Sequence, residues 1–253
     1  MSEINFFNNH KNRSMKTIKL FALFLFGTTL FQASTLLAAN SSDGRQTRQI
    51  TGFHGVSVTS GIDLYLTQKN VEEVAVEADS DDLDKIITTV EGGILKIYIR
   101  EKSWLNMNWN NNKRKVYVSF KTLDKLEASA GSDVVSQSVL KLDKLNLDVS
   151  SGSDVKLELE ANELDAESSS GSDISLKGKL TSMRVSASSG SDIDAGELVT
   201  KKCTASTSSG SDIIINVTEE LDANASSGGD ISYSGNPTQK NINESSGGDV
   251  HKR

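Results

Sequence analysis

Along the second half of the chain, apolar residues fall at alternate positions in short runs, and every run breaks at the same five-residue signature. Ser129-Ala130-Gly131-Ser132-Asp133 returns as Ser150-Ser151-Gly152-Ser153-Asp154 and then around Gly171, Gly190, Gly210, Gly228 and Gly247, in steps of 21, 19, 19, 20, 18 and 19 residues. A period held this closely marks a repeat architecture. Five residues before each glycine stand Leu126, Leu147, Ala166, Val185, Ala205, Ala223 and Ile242; three after it stand Val134, Val155, Ile174, Ile193, Ile213, Ile231 and Val250. Seven before (Leu145, Leu164, Met183, Cys203, Leu221) and five after (Leu157, Leu176, Ala195, Ile215, Tyr233), the columns continue at period two, as in a strand with one buried face. Each copy therefore reads as strand, turn, strand. One unit cannot bury its apolar face alone, but units stacked at the inter-strand spacing of about 4.8 Å form continuous aliphatic ladders. The expected fold is an all-β solenoid of about 19-residue coils, with glycine supplying positive φ at a tight corner. The period is too short for a propeller blade, and the leucine-rich pattern is missing.

The preceding segment is less regular but still β. Val56-Ser57-Val58, Ile62 to Leu66 and Val74-Ala75-Val76 alternate, and Ser60-Gly61-Ile62-Asp63 resembles a degenerate corner, so this region is expected to begin the same stack. Ser80-Asp81-Asp82 before Leu83 predicts a short capped helix, and Ile86 to Val90 with Ile94 to Ile99 predict a hairpin around Glu91-Gly92-Gly93. Val116 to Phe120 is a further strand. Glu101 to Lys115 is a polar loop carrying Trp104 and Trp109.

The first residues change the picture of location. Leu20 to Phe31 is almost wholly apolar, follows Lys16 and Lys19 and leads to Leu36-Leu37-Ala38-Ala39, the pattern of a removable signal peptide. As a helix it would span only about 18 Å, short of the bilayer core. Residues 1–39 are thus assigned to an N-terminal extension plus signal peptide, with Met15 an alternative start, and 40–47 to a linker. Residues 48–250 form the solenoid domain: 48–120 its less regular part, 121–250 its seven coils. The chain is expected to be exported, to the periplasm, the cell surface or the medium, with no membrane span in its mature form. Without residues 1–39 it holds 23 basic and 33 acidic side chains, a net charge of −10, which argues against nucleic acid as a partner. Cys203 is the single cysteine, sits in a predicted core column and cannot form an internal disulfide.

Phe53-x-x-Val56-x-Val58 leading to Gly61, Val76-Glu77-Ala78-Asp79, Gly93-Ile94-Leu95-Lys96-Ile97 and Val116-Tyr117-Val118, followed by the Gly-Ser-Asp repeats, resemble the head GIN domain family of auto-transporter adhesin heads over about residues 48–250. The resemblance implies a right-handed single-stranded β-helix, an envelope or surface location and an adhesive role. Only six residues follow Gly247, so a translocator barrel is not expected within this chain.

Candidate chemistry is sparse. Asp133, Asp154, Asp173, Asp192, Asp212, Asp230 and Asp249 recur two residues after each glycine and would form a ladder along one corner. Carboxylates about 4.8 Å apart repel by about 0.9 kcal/mol in water and about 3.5 kcal/mol at an effective dielectric of 20. Such a ladder must be wet, hydrogen-bonded or cation-bound. The first expectation is that each Asp accepts N–H bonds at its turn while serine hydroxyls link the coils. Calcium bridging of adjacent carboxylates is the alternative, the first six of these aspartates being the candidate ligands; no other cofactor is expected. Asp79, Asp81, Asp82 and Asp84 form the densest acidic patch but depart from a calcium loop at Leu83 and Asp84, and read as helix-start charges. Trp104 and Trp109 are candidate ligand-binding residues that could stack on sugar rings, or else cover the end of the core. His10, His54 and His251 lie too far apart in sequence to propose a Ser-His-Asp set or a histidine metal site from spacing. The functional expectation is a non-enzymatic binding module for carbohydrate or a surface protein, able to associate through its solenoid ends. The alternatives are a passive structural rod and a polysaccharide-active enzyme.

Overall fold

The computed structural model describes residues 39–42, 44–100 and 114–253. In chain order the strands are β1 (Ala39–Ser42), β2 (Arg45–Arg48), β3 (Gly55–Val58), β4 (Asp63–Gln68), β5 (Glu73–Glu77), β6 (Ile86–Glu91), β7 (Ile94–Ile99), β8 (Lys115–Phe120), β9 (Lys125–Ala128), β10 (Asp133–Ser136), β11 (Leu140–Ser150), β12 (Asp154–Ser169), β13 (Asp173–Ser188), β14 (Asp192–Thr207), β15 (Asp212–Ala225), β16 (Asp230–Ser234), β17 (Gln239–Glu244) and β18 (Asp249–Lys252). A 3-10 turn at Leu83–Lys85 is the one helical element among the described residues. The fold is a β-solenoid of about seven turns with ~19-residue coils.

Parallel, in-register pairing builds it. Val155, Ile174, Ile193, Ile213, Ile231 and Val250 face one another coil to coil, as do Ala166, Val185, Ala205 and Ala223. All these columns are buried except at the C-terminal coil, where Ile242 is 38% exposed. A further buried column of small side chains, three residues before the glycine, escapes the sequence pattern because it mixes types: Ala128, Val149, Ser168, Ala187, Thr207 and Ala225. Within the repeats, strand, turn, strand understates the coil. Strands β12, β13 and β14 each run 16 residues from one corner to the next, bending without breaking the ladder.

The corner explains the signature residue by residue. The residue before each glycine also takes positive φ, from Ser60 at 74° and Ala130 at 55° to Ser246 at 50°, so two left-handed residues in succession turn the chain. That is the handedness of type I′ turns, where glycine meets no Cβ penalty and a small polar residue tolerates one. The serine after the glycine points inward: Ser132, Ser153, Ser172, Ser191 and Ser211 are fully buried. Ser172 Oγ accepts the Ser169 N–H at 3.1 Å and shares its one proton between Ser169 O at 2.8 Å and Val149 O of the adjacent coil at 3.0 Å. Ser191 Oγ repeats the pattern with Ser188 and Ser168, and the Ser191 N–H donates to Ser211 Oγ of the next coil at 3.1 Å. The Ser172 and Ser191 hydroxyls thus each close their own turn and stitch it to a neighbour, while those of Ser132, Ser153 and Ser211 each accept an N–H from an adjacent coil. In the last two coils the position is Gly229 and Gly248, where a Cβ would stand 2.8 Å from Thr207 Oγ1 and 2.5 Å from Ala225 C, and the N–H closes the turn instead, onto Ser226 O and Ser245 O.

The N-terminal region joins the stack out of chain order. The coil β3–β4 lies between β9–β10 on one side and β7–β8 on the other, every pairing parallel. Gly61 N–H donates to Ala130 O, which identifies Ser60-Gly61 as a true corner. It is the neighbour of the first repeat rather than the outermost turn. Beyond β7–β8 the direction reverses: β6 pairs antiparallel with β7, β5 with β8, β2 with β5 and β1 with β2. Antiparallel strands at this end cover the parallel edge that the coils would otherwise leave open. Arg48 fixes the cap from within. Its buried guanidinium donates to Ile86 O, Leu83 O and Thr88 Oγ1 at 2.7 to 2.9 Å, and burial lowers its pKa. The expected capped helix is only the 3-10 turn, with no side-chain cap on it, because Asp82 is engaged by Lys85.

Two substitutions separate the interactions. Ser172→Ala removes the partner of the half-buried Ser169 N–H and of two coil carbonyls and should lower stability by about 1–3 kcal/mol, whereas Ser170→Ala, two residues away and exposed, should stay within about 0.5 kcal/mol of wild type in urea melts. Ile193→Ala, in the middle of a buried ladder, should cost about 2–5 kcal/mol by the same measurement.

Candidate functional site

The corner that buries serine turns the next residue outward. Asp133, Asp154, Asp173, Asp192, Asp212, Asp230 and Asp249 pair in register down the solenoid and are all exposed. Asp63 of the out-of-order coil adds an eighth, because Leu64 pairs with Val134. Serine, and not aspartate, holds the turns; of the carboxylates, Asp192 Oδ1 accepts the Asp212 N–H of the next coil at 3.1 Å. Crowding has an electrostatic signature. Desolvation first, then Asp154 and Asp192 on either side, raises the pKa of Asp173; desolvation and Asp63 raise that of Asp133. Asp63 is raised by desolvation against the opposing pull of Lys115 and Arg114.

At the Asp63 end the same outer surface carries an aromatic pair. Tyr65 and Tyr117 are register partners whose rings stack at 5.0 Å and 17°, with the Arg45 guanidinium 4.8 Å from the centre of Tyr117. The Tyr117 hydroxyl donates to Glu77 at 3.3 Å. These tyrosines sit in strands whose alternation signals only their buried partners, so the sequence gives their side of the sheet but not their contact. Trp104 and Trp109, the aromatic residues singled out from sequence, lie outside the described residues, as do His10 and the expected signal peptide up to residue 38.

Other candidates are placed as follows. Cys203 is buried in its column, and burial pushes its thiol up to about 12, so it is an unreactive core residue. Asp82 pairs with Lys85 in the 3-10 turn, and no group of three or more His, Cys, Asp and Glu arranged to hold a metal ion occurs among the described residues. His54 Nδ1 lies 2.7 Å from Asp124. Spacing gave no reason to expect a Ser-His-Asp set, yet the ladder assembles one: His251 Nε2 lies 2.7 Å from Ser232 Oγ, and its Nδ1 lies 3.1 Å from Asp249 Oδ2. Ser232 and His251 are register partners on adjacent coils, a relation invisible without the coil alignment. The set lies open to water, with His251 and Asp249 side chains 51% and 62% exposed, so it lacks the buried carboxylate and dry surroundings that activate a serine.

Two outcomes are expected. The folded chain holds the Asp173, Asp133 and Asp63 protons more tightly than the unfolded chain, so their stabilising effect is present below the usual 3.8 and is lost as pH rises through the raised folded values. Asp173→Asn should therefore raise the melting temperature relative to wild type at pH 7, and the difference should shrink as the pH approaches 4; an equal difference at both pH values would contradict it. Ser232 should remain unlabelled by a fluorophosphonate probe under conditions that label a serine hydrolase fully, as read by intact-mass spectrometry.

Solved structures share this architecture. A "putative adhesin" from Bacteroides fragilis matches at 21% identity and TM-score 0.76, covering 83% of this chain and 96% of that one. A "putative adhesin" from Parabacteroides distasonis matches at 19% identity and TM-score 0.65, covering 83% and 96%. A "putative lipid binding protein" from the same species matches at 21% identity and TM-score 0.60, covering 82% and 96%. At these identities the likeness is one of fold. No curated protein matches the sequence. The family described as "putative auto-transporter adhesin, head GIN domain" matches residues 52–237, in-register coils and corners included, and the chain belongs to that family.

Proposed function

We propose that this protein is an exported, non-enzymatic surface binding module of adhesin type whose ligand is carbohydrate. The observation that carries the reading is the single outer face on which the carboxylates of eight successive rungs lie in register and end at the stacked pair Tyr65 and Tyr117. Ladder carboxylates are acceptors spaced at about 4.8 Å for ligand hydroxyls, and tyrosine rings offer the apolar faces on which sugar rings stack. Equivalent acids in every coil favour a repetitive ligand over one reacting bond, since catalysis needs a unique constellation. Membership of an adhesin family and the apolar N-terminal run support a location outside the cytoplasm. Among the described residues no helix is long and apolar enough to cross a membrane.

A glycan array and a cell-binding assay with purified protein test the reading. Binding is expected, with loss on Tyr65→Ala or on the combined Asp173→Asn, Asp192→Asn and Asp212→Asn variant, each checked for an unchanged melting profile. Trp104→Ala and Trp109→Ala form a separate arm, in which loss would assign part of the site to the 101–113 segment. Absence of glycan and cell binding by wild type would favour a passive rod, and new reducing ends from polygalacturonate would overturn the non-enzymatic reading.

A further inference from the structure

A different place on the solenoid combines an interrupted sheet edge with positive charge. Strand β11 pairs with β12 along its whole length, Leu140 to Ser150, but on its other side β9 meets only Asn146 to Val149. Over residues 142–145 a rung is missing. Its beginning is supplied by a side chain: Gln68 Oε1 accepts the Lys141 N–H at 2.7 Å, while Gln68 Nε2 donates to Lys141 O at 2.9 Å and to Lys121 O at 3.3 Å. The glutamine amide takes the place of a peptide unit and holds the two walls apart. Its far end closes where Asn146 N–H donates to Asp124 O at 2.8 Å. Between these fixed points lies a cleft of about 600 Å³, lined by Lys121, Lys125, Lys141 and Lys144, by Asp124 and Asp143, and by the buried Leu123 beneath.

The charge in this cleft is available to a ligand. Both carboxylates are engaged at the rim, Asp124 by His54 and Asp143 by the Asn162 amide, each at 2.7 Å. Lys141 and Lys144 meet Glu160 and Glu163 only at 3.8 Å and are 74% and 52% exposed, and Lys121 has no ion-pair partner among the described residues. Only Lys125 is tightly paired, with Glu127. In a chain of net charge −7, the cleft lining itself holds four lysines against two aspartates. Among the described residues no Tyr, Trp or Phe lines it, so a sugar would find no stacking face. A backbone edge flanked by cations has the chemistry that recognises an extended acidic peptide: main-chain pairing gives affinity and alternate side chains give specificity.

We infer that this cleft is a docking site for a short acidic peptide segment of a partner protein, laid in as the missing rung against residues 142–145 with its carboxylates on Lys121, Lys141 and Lys144. Four residues of extended chain span about 13 Å, the length of the gap at ~3.3 Å per residue. The site is separate from the aspartate ladder and does not depend on the carbohydrate reading.

The test is fluorescence anisotropy with the full chain and labelled Ac-Glu-Val-Glu-Val-Glu-amide. Binding is expected to weaken about ten-fold or more in the Lys121→Glu, Lys144→Glu double variant and on raising salt, to stay unchanged in the exposed-surface control Lys179→Glu, and to be lost for the Lys-for-Glu peptide. Alternate N-methylation of the peptide backbone on unaltered protein should also abolish it, a readout that stands even if the double variant fails to fold. No binding by the acidic peptide, or binding indifferent to salt and N-methylation, overturns the proposal. Binding of oligogalacturonate at the same lysines without binding of the peptide overturns it in favour of an acidic saccharide.

Discussion

The parallel, in-register hydrogen bond between one coil and the next is the constraint on which everything else in this protein depends. It fixes like over like, so each position of the repeat becomes a column whose chemistry is multiplied by the number of rungs. Aliphatic positions become a dry ladder through Ile174, Ile193 and Ile213. Aspartate positions become a line of crowded carboxylates, which the fold can hold only by leaving them at the surface. A repeat chosen for packing is therefore also a repeat of surface charge, and core and candidate ligand face arise from the same register.

The corner reconciles these demands. Two successive left-handed residues reverse the chain in the space of one rung, and the serine that follows is carried inward while the aspartate is carried out. The inward hydroxyl would be a liability in a small apolar tip if unpaired. Its bonds to the adjacent coil, joined at Ser172 and Ser191 by bonds to its own turn, convert it into a second, internal ladder running beside the backbone one. Gly229 and Gly248 show the alternative where the neighbouring backbone comes too close for a side chain.

Much of this was legible in the sequence. The period gave the solenoid and the buried columns, because strand alternation and repetition reinforce each other across seven copies. What stayed hidden depends on relations that a period does not encode. The place of β3–β4 between later coils follows from a chain reversal at β5 and β6, where no copy of the signature exists to align. Tyr65 meets Tyr117, and Ser232 meets His251, only because their coils lie on adjacent rungs in register. The lysine-lined gap beside β11 is a missing rung, filled at one end by Gln68, and an absence leaves no motif. Ile242 fits its column by type yet is partly exposed at the C-terminal coil, because burial of a ladder residue needs neighbours as well as hydrophobicity.

Register across several coils is measured most directly by paired spin labels. Labels at Asp154→Cys and Asp230→Cys, on exposed positions, span four rung-to-rung steps, while Cys203 stays unlabelled in its buried column. Stacking predicts a single narrow distance of about 20 Å, four times the ~4.8 Å rung spacing, by double electron–electron resonance. A broad distribution, or a centre far from that value, would mean that the rungs do not lie over one another.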